Sequence, residues 1–280
     1  MALIWGSSFL FTELSLRFLP FYGVSFWRTF LGGLAMFALV FALKLQLPKG
    51  TQWFHLWVAG VFMSAIPFSL FSFAQQYTTS SLAAIIGAAT PMFTLLAILT
   101  IYRTEKVTMV ATIGLMVGLI GVVITLGAWE GFGQNEPLAI GALVLATISY
   151  GIGGPYIRKF ITPMNLSGTS SAAAQVFSSS ITLLPFYLFS GPLVTAAPSI
   201  ESLLSIIALG VLGSGYAYRL FHDVIRDAGS TVASTVTFTN PVVATIWGVL
   251  LLSEELHWYE PIGGVVVILG AWLAQHKATK

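Results

Sequence analysis

Long apolar runs alternate with short polar punctuation along the whole chain, and the pattern repeats ten times. The runs predict helices at 1–18, 21–43, 52–75, 80–102, 106–127, 137–157, 167–190, 199–225, 229–252 and 257–276. Each approaches the roughly 20 residues that a helix needs to cross a bilayer core. Connectors such as "LPFYG" (19–23), "QLPKGTQ" (46–52), "EGFGQNEP" (130–137) and "RDAGS" (226–230) leave no room for a soluble domain. The first run is short: either residues ahead of Met1 complete it or Met1 lies at the membrane surface. Two runs carry a break at their middle, "GAATPMFTLLAI" (87–98) at Thr90 and Pro91, and "TFTNPVVATIWG" (237–248) at Thr239, Asn240 and Pro241. A proline there deletes a backbone hydrogen bond, at a cost of about 3 kcal/mol in a soluble helix.

Composition settles the solvent. Hydrophobic residues make up 56% of the chain and charged residues 8%, with a mean hydropathy of +0.89. A soluble domain carries about 25% charged residues, so this chain belongs in a membrane. There is no cysteine, which excludes disulfides, thiolate metal sites and cysteine nucleophiles. The first run lacks a basic flank and a cleavage site, so it does not read as a signal peptide.

Charge then sets orientation. With ten spans, one side collects Lys44, Lys49, Arg103, Lys106, Arg158, Lys159, Arg226, Lys277 and Lys280, with Arg219 just inside the membrane. The other side receives Arg17 together with Glu130, Glu136, Glu201, Glu254, Glu255 and Glu260. Basic loops stay cytoplasmic, so both termini are expected in the cytoplasm of a bacterial-type plasma membrane. The net charge of +2 belongs to these loops and gives no sign of nucleic-acid binding.

The chain also repeats itself. Ser80, Ala83 and Pro91 recur 150 positions later as Ser230, Ala233 and Pro241. At an offset of 149, Glu105, Ile113, Gly114, Val117 and Gly121 recur as Glu254, Ile262, Gly263, Val266 and Gly270. Two units result, at 1–128 and 137–276. Each holds five spans, an odd number, so the copies must lie in opposite orientation. Inverted repeats with interrupted helices near their interface recur among secondary transporters. Broken backbone at membrane depth is tolerated where protein or a watery cavity satisfies it.

"IWGSSF" (4–9), "FWRTFLGG" (26–33), "SSLAAIIGAATPMFTLL" (80–96) and "STVASTVTFTNPVVATIWGVLLLSEELHWYEPIGGVVVILGAWLA" (230–274) resemble the drug/metabolite transporter superfamily, specifically its EamA-type members. Their order and spacing cover nearly the whole chain. The resemblance implies an all-α polytopic membrane protein: ten transmembrane helices as two inverted five-helix repeats around a central cavity. It also implies carriage of amino acids or related small metabolites by alternating access. Two positions depart from the family pattern. Glu13 stands where relatives often carry Lys, and Thr104 replaces the usual Gly before the glutamate of the first repeat.

Polar residues within the spans are the site candidates. Arg28 lies well inside the second span, where a charge costs about 2.5–3.5 kcal/mol on insertion scales. It is either a cavity cation for a carboxylate or phosphate, or a structural partner of Glu13 and helix-end carbonyls. Glu13 is a protonatable coupling candidate, or the partner of Arg17 at the spacing of an intrahelical pair. In "YAYRLFHDVIRDAG" (216–229), Arg219, His222 and Asp223 read as an inner gate or as an ordinary helix end at the headgroups. If transport is proton-linked, Glu13, His222 or Asp223 carries the proton. Trp5, Trp27, Tyr77 and Tyr156 fit interfacial anchoring, while Tyr150 and Tyr216 lie at mid-depth. The cavity candidates are therefore Trp5, Ser8, Arg28, Tyr77, Thr90, Pro91, Tyr150, Tyr216, Asn240 and Pro241. The carbonyls freed by the prolines, at Gly87 and Thr237, are expected to join them. Gly114, Gly118 and Gly121, with Gly263 and Gly270, read as close-packing faces or as a homodimer interface.

No HExxH pair, P-loop or paired intramembrane aspartates occur, so no enzyme, metal or cofactor is indicated. Without a P-loop, uphill movement must be ion-coupled or gradient-driven, with protons as the candidate ion. The expected partners are the bilayer and a small-molecule substrate. The expected function is export of small organic metabolites by a secondary transporter. The rivals are an uncoupled facilitator and a non-transporting receptor or scaffold on the same fold.

Overall fold

The computed structural model describes residues 1–103, 108–125, 129, 136–252 and 257–275. The loop charges at Lys106, Glu130, Glu254, Glu255, Lys277 and Lys280, the departure at Thr104 and the Glu105/Glu254 repeat pair fall outside these. The described residues form helices and no strand: α1 (Ala2–Leu16), α2 (Phe21–Ala42), α3 (Gln52–Ala74), α4 (Ser80–Tyr102), α5 (Met109–Thr125), α6 (Pro137–Met164), α7 (Gly168–Phe189), α8 (Ile200–Ala228), α9 (Ser230–Leu252) and α10 (Tyr259–Gln275). Seven of them, α2–α4 and α6–α9, are long and apolar enough to cross a membrane. The remaining three are apolar but shorter, at 15 residues for α1 and 17 for α5 and α10. The outer surface carries apolar side chains such as Leu3, Phe189 and Leu250 in the open, as a lipid-facing surface should.

Several helices change pitch at mid-length, and most of these changes have a polar recipient. In α3 the turn at Val61–Ala65 opens to a π-helix, and widening a turn this way frees carbonyls. The Phe62 carbonyl accepts from Ser149 Oγ of α6 at 2.8 Å, and the Met63 carbonyl accepts from the Tyr218 hydroxyl of α8. In α8 the stretch Leu209–Tyr216 is also π-helical, and its Gly213 carbonyl accepts from Trp5 Nε1 of α1 at 3.0 Å. The two sequence-predicted breaks are present. The regular turns of α4 stop after Gly87 and resume at Thr90, and α9 narrows to a 3-10 helix over Thr235–Thr239.

Glycines set the closest helix approaches. A Cβ on Gly114 would lie 2.3 Å from the Ala274 nitrogen, and one on Gly121 2.5 Å from the Val267 nitrogen, so α5 and α10 run antiparallel in contact. A Cβ on Gly270 would lie 2.3 Å from the Gly118 nitrogen. Gly114, Gly121 and Gly270 are therefore taken up by helix packing within the chain. The α2–α7 pair is antiparallel too, with Gly33 against Phe177 and Phe26 stacked on Tyr187 at 4.9 Å.

Connectors gather at two ends. The Thr195 amide donates to the Phe18 carbonyl at 2.9 Å, joining the α7–α8 and α1–α2 connectors. At the other end Arg158 Nη1 donates to the carbonyls of Ile225 (2.9 Å) and Arg226 (2.7 Å). There too His55 Nδ1 lies 2.7 Å from the Tyr156 hydroxyl.

Candidate functional site

A cavity lies among α1, α2, α3, α4, α6, α8 and α9, with about 760 Å³ of space free of protein atoms, its mouth included. Most of these helices bring residues three or four apart, the spacing of one helical face, and α3 also brings Met63, five before Phe68 across its opened turn. From α1 come Trp5, Ser8, Phe9 and Thr12; from α3, Phe68, Phe71 and Gln75; from α4, Gly87, Thr90 and Thr94; from α9, Ser234, Thr237 and Asn240. Single walls are added by Arg28, by Tyr150 and Gly154, and by Tyr218 and Phe221.

The motif "IWGSSF" serves this cavity residue by residue. Trp5 is tied to the opened turn of α8 and packs on Tyr218 and Phe221 at 5.6 and 5.3 Å between ring centres. Gly6 lets α9 come close, since a Cβ there would lie 2.4 Å from Val243 Cβ. Ser7 accepts from Trp247 Nε1 at 2.9 Å. Ser8 faces the cavity while its hydroxyl donates to the Ile4 carbonyl at 2.9 Å.

Arg28 is the charged side chain of the lining. It is 95% buried, with Nε donating to Ser214 Oγ at 3.0 Å and the guanidinium carbon 3.5 Å from the centre of the Phe68 ring. Among the described residues no carboxylate is within ion-pair distance of it. The neighbours that hold it are a hydroxyl and an aromatic face. Both orient the guanidinium, and neither neutralises it. Gly32 enables the arrangement, since a Cβ there would lie 2.6 Å from the Gly210 carbonyl oxygen. Two further polar atoms of lining residues are buried without a partner, Thr94 Oγ1 and Asn240 Oδ1.

Six of the predicted cavity residues thus meet in one place: Trp5, Ser8, Arg28, Thr90, Tyr150 and Asn240. Pro91 and Pro241 are buried beside it and shape the breaks without lining it. Tyr216 is 37% exposed and points away. Depth selected it, but the π-helical stretch that ends at Tyr216 resets the phase of α8 and turns Tyr218 inward instead. Tyr77 is 46% exposed in the turn after α3, its ring tilted against Phe73 at 5.4 Å between centres.

The expected carbonyls are also already engaged. Gly87 O accepts from Thr90 Oγ1 at 2.6 Å, and Thr237 O accepts the Asn240 amide. Asp223 pairs with Arg226 at 2.9 Å rather than with Arg219, which lies over the Tyr216 ring. His222 sits one turn beyond Tyr218 and directly after Phe221, outside the cavity lining, with Nε2 2.8 Å from Gln175 Oε1. Glu13 is partly buried and does not line the cavity. Residues not anticipated include Thr12, Phe68, Phe71, Gln75, Thr94, Tyr218 and Phe221. For Thr12 and Thr94 the available signal was their spacing of four from Ser8 and Thr90.

The fold and the cavity define a multi-pass membrane protein with a chamber among its helices. The EamA-like transporter family model matches residues 1–127 and 137–274, and the chain belongs to that family. It is 24% identical to an uncharacterized transporter of Archaeoglobus fulgidus, over 98% of this chain and 94% of that one. It is 25% identical to the uncharacterized inner membrane transporter YedA of Escherichia coli, over 95% and 85%. Protein PecM of Dickeya dadantii is 23% identical over 81% and 75%. A crystal structure with 18% identity superposes with a TM-score of 0.75, covering 98% of this chain and 93% of its own, which shows a shared fold.

Proposed function

We propose that the protein is a secondary transporter that carries small organic metabolites through this cavity by alternating access, in the direction of export. The observation that carries the reading is Arg28: a buried cation, held in place but not neutralised, facing a chamber at mid-depth. Such a charge is costly in a membrane and marks a solute or ion path by default. We read the chain as ten spans in two inverted repeats. Supporting this, α1 tethers to the opened turn of α8 through Trp5, and α6 to that of α3 through Ser149. Exchange of each helix with the one five places on relates the two tethers. The self-related pairs, α2–α7 and α5–α10, are antiparallel, as inverted copies require and parallel copies do not. The end bearing Lys49, Arg158 and Lys159 is then cytoplasmic, in a plasma membrane.

Because the chain has no cysteine, single cysteines test this directly. Cysteines at Thr90 and Asn240 should react with a small water-soluble thiol reagent, and those at Lys49 and Lys159 should react from the cytoplasmic side alone. A cysteine at Leu193 should react from the other side. If Thr90 and Asn240 stay inert while positions on the lipid face react, the cavity is not a solute path. Flux into proteoliposomes with and without a pH gradient then separates a proton-coupled carrier from a facilitator.

A further inference from the structure

We propose that the solute is an organic monoanion: one carboxylate or sulfonate on a bulky, aromatic-sized apolar body, with a hydrogen-bond donor and no ammonium group. This rests on the reading of the cavity as the transport site and narrows what it accepts.

Charge balance comes first. Among the described lining residues there is one cation, Arg28, and no Asp or Glu. A single negative charge would be balanced there, whereas a dianionic phosphate would leave one charge uncompensated in a low-dielectric chamber. With Nε held by Ser214, the two terminal nitrogens remain as the planar fork that suits a carboxylate.

An ammonium group has no such reception. It would approach Arg28 as a like charge, with no carboxylate opposite. The carbonyls that two broken helices would offer it each already accept one hydrogen bond, Gly87 O from the Thr90 hydroxyl and Thr237 O from the Asn240 amide, which weakens them as cation ligands. What remains open on the far walls is neutral: Asn240 Oδ1 and the Thr94 hydroxyl, both buried without a partner. An acceptor left unpaired costs stability until a donor reaches it, and a neutral N–H or O–H on the solute would supply one. Trp5, Phe71, Tyr150 and Phe221 add aromatic faces to the lining, which match an apolar ring.

Three probes that share a phenol ring and differ in charge test this: para-hydroxyphenylpropionate, tyrosine and tyramine, titrated into the purified full-length protein in lipid nanodiscs. The propionate should bind about tenfold to a hundredfold more tightly than tyramine, the range expected for one charge-assisted contact, and more tightly than tyrosine, which keeps that contact but adds an ammonium group. Arg28→Gln should erase that preference. Because Arg28→Gln can simply fail to fold, Asn240→Asp tests the claim from the opposite wall, and it should strengthen tyramine binding while weakening the propionate. Tyrosine or tyramine binding as tightly as the propionate would overturn the inference, as would no binding of the propionate to the folded protein. Reactive cysteines at Thr90 and Asn240 would still uphold the transport cavity in either case, so the two readings fail separately.

Discussion

The broken helices α4 and α9 begin from the same motif and end in different surroundings. In the apolar heart of α4, 78% of residues are buried; in α9 the share is 33%. α4 is clamped from behind by α6, where a Cβ on Gly151 would fall 2.4 Å from Phe93 Cβ and 2.7 Å from its backbone carbon. Its break is one turn deep and is closed by a single hydroxyl, Thr90 on Gly87. The break in α9 spreads over a full 3-10 stretch, where Ser234, Thr235, Thr237 and Thr239 each donate to the carbonyl three residues back. It ends at an amide whose oxygen has no partner. One proline therefore interrupts a wall fixed against the core, and the other interrupts a wall with one face in lipid. The same sequence mark can thus sit in unlike surroundings.

The largest effect is expected where that clamp is tightest. Gly151→Ala meets backbone atoms of α4 that cannot turn aside, so overpacking should cost about 1–3 kcal/mol. Thermal unfolding in detergent would show it. The matching test on α9 is Gly6→Ala, where the obstruction is the Val243 side chain and the helix behind it faces lipid. It should cost less stability and reduce flux instead. If both variants lose equal stability, α9 is as fixed as α4 and the contrast fails.

Thr90→Val comes next. It removes the hydroxyl that satisfies Gly87 O, and a buried acceptor left open costs about 1–3 kcal/mol. Thr90→Ser should restore most of the loss, because it keeps the donor. An unchanged melting temperature in Thr90→Val would mean that water from the cavity replaces the hydroxyl.

How much of this was legible in the sequence depends on what each feature needs. The helices were, since a run of apolar residues long enough to cross a bilayer has few alternatives, and the two breaks were, since proline cannot be hidden in a helix. α5 and α10 are the exception, predicted at 106–127 and 257–276 and helical over 17 described residues each, while α1 is short, as its run predicted. The cavity was half legible. Charge and proline pointed to Arg28, Thr90 and Asn240, because a polar group in lipid needs a reason. Tyr218 and Gln75 were not found, because which face a helix turns inward is set by its phase, and a π-helical stretch shifts that phase without a mark in composition. The partners were least legible: Asp223 chose Arg226 over Arg219, a choice between the i+3 and i−4 neighbours that only the turn of the helix end decides.

The smallest expected effect is also the sharpest test of the two faces of α9. Thr237 and Thr239 lie two residues apart in the same 3-10 stretch, and each hydroxyl donates to the carbonyl three back at 2.8 Å. Thr237 lines the cavity, whereas Thr239 is exposed on the outer surface. Replacing either with Val removes an equivalent local bond, and polar contacts of this kind in membrane helices average about 0.6 kcal/mol. Stability should therefore change by the same small amount in both. Flux should not: Thr237→Val should slow it, because the change alters a wall the solute passes, and Thr239→Val should leave it at the level of the unaltered protein. Equal loss of flux in both would mean that the hydroxyls act by setting the pitch of the helix. The surface of α9 would then have no part in handling the solute.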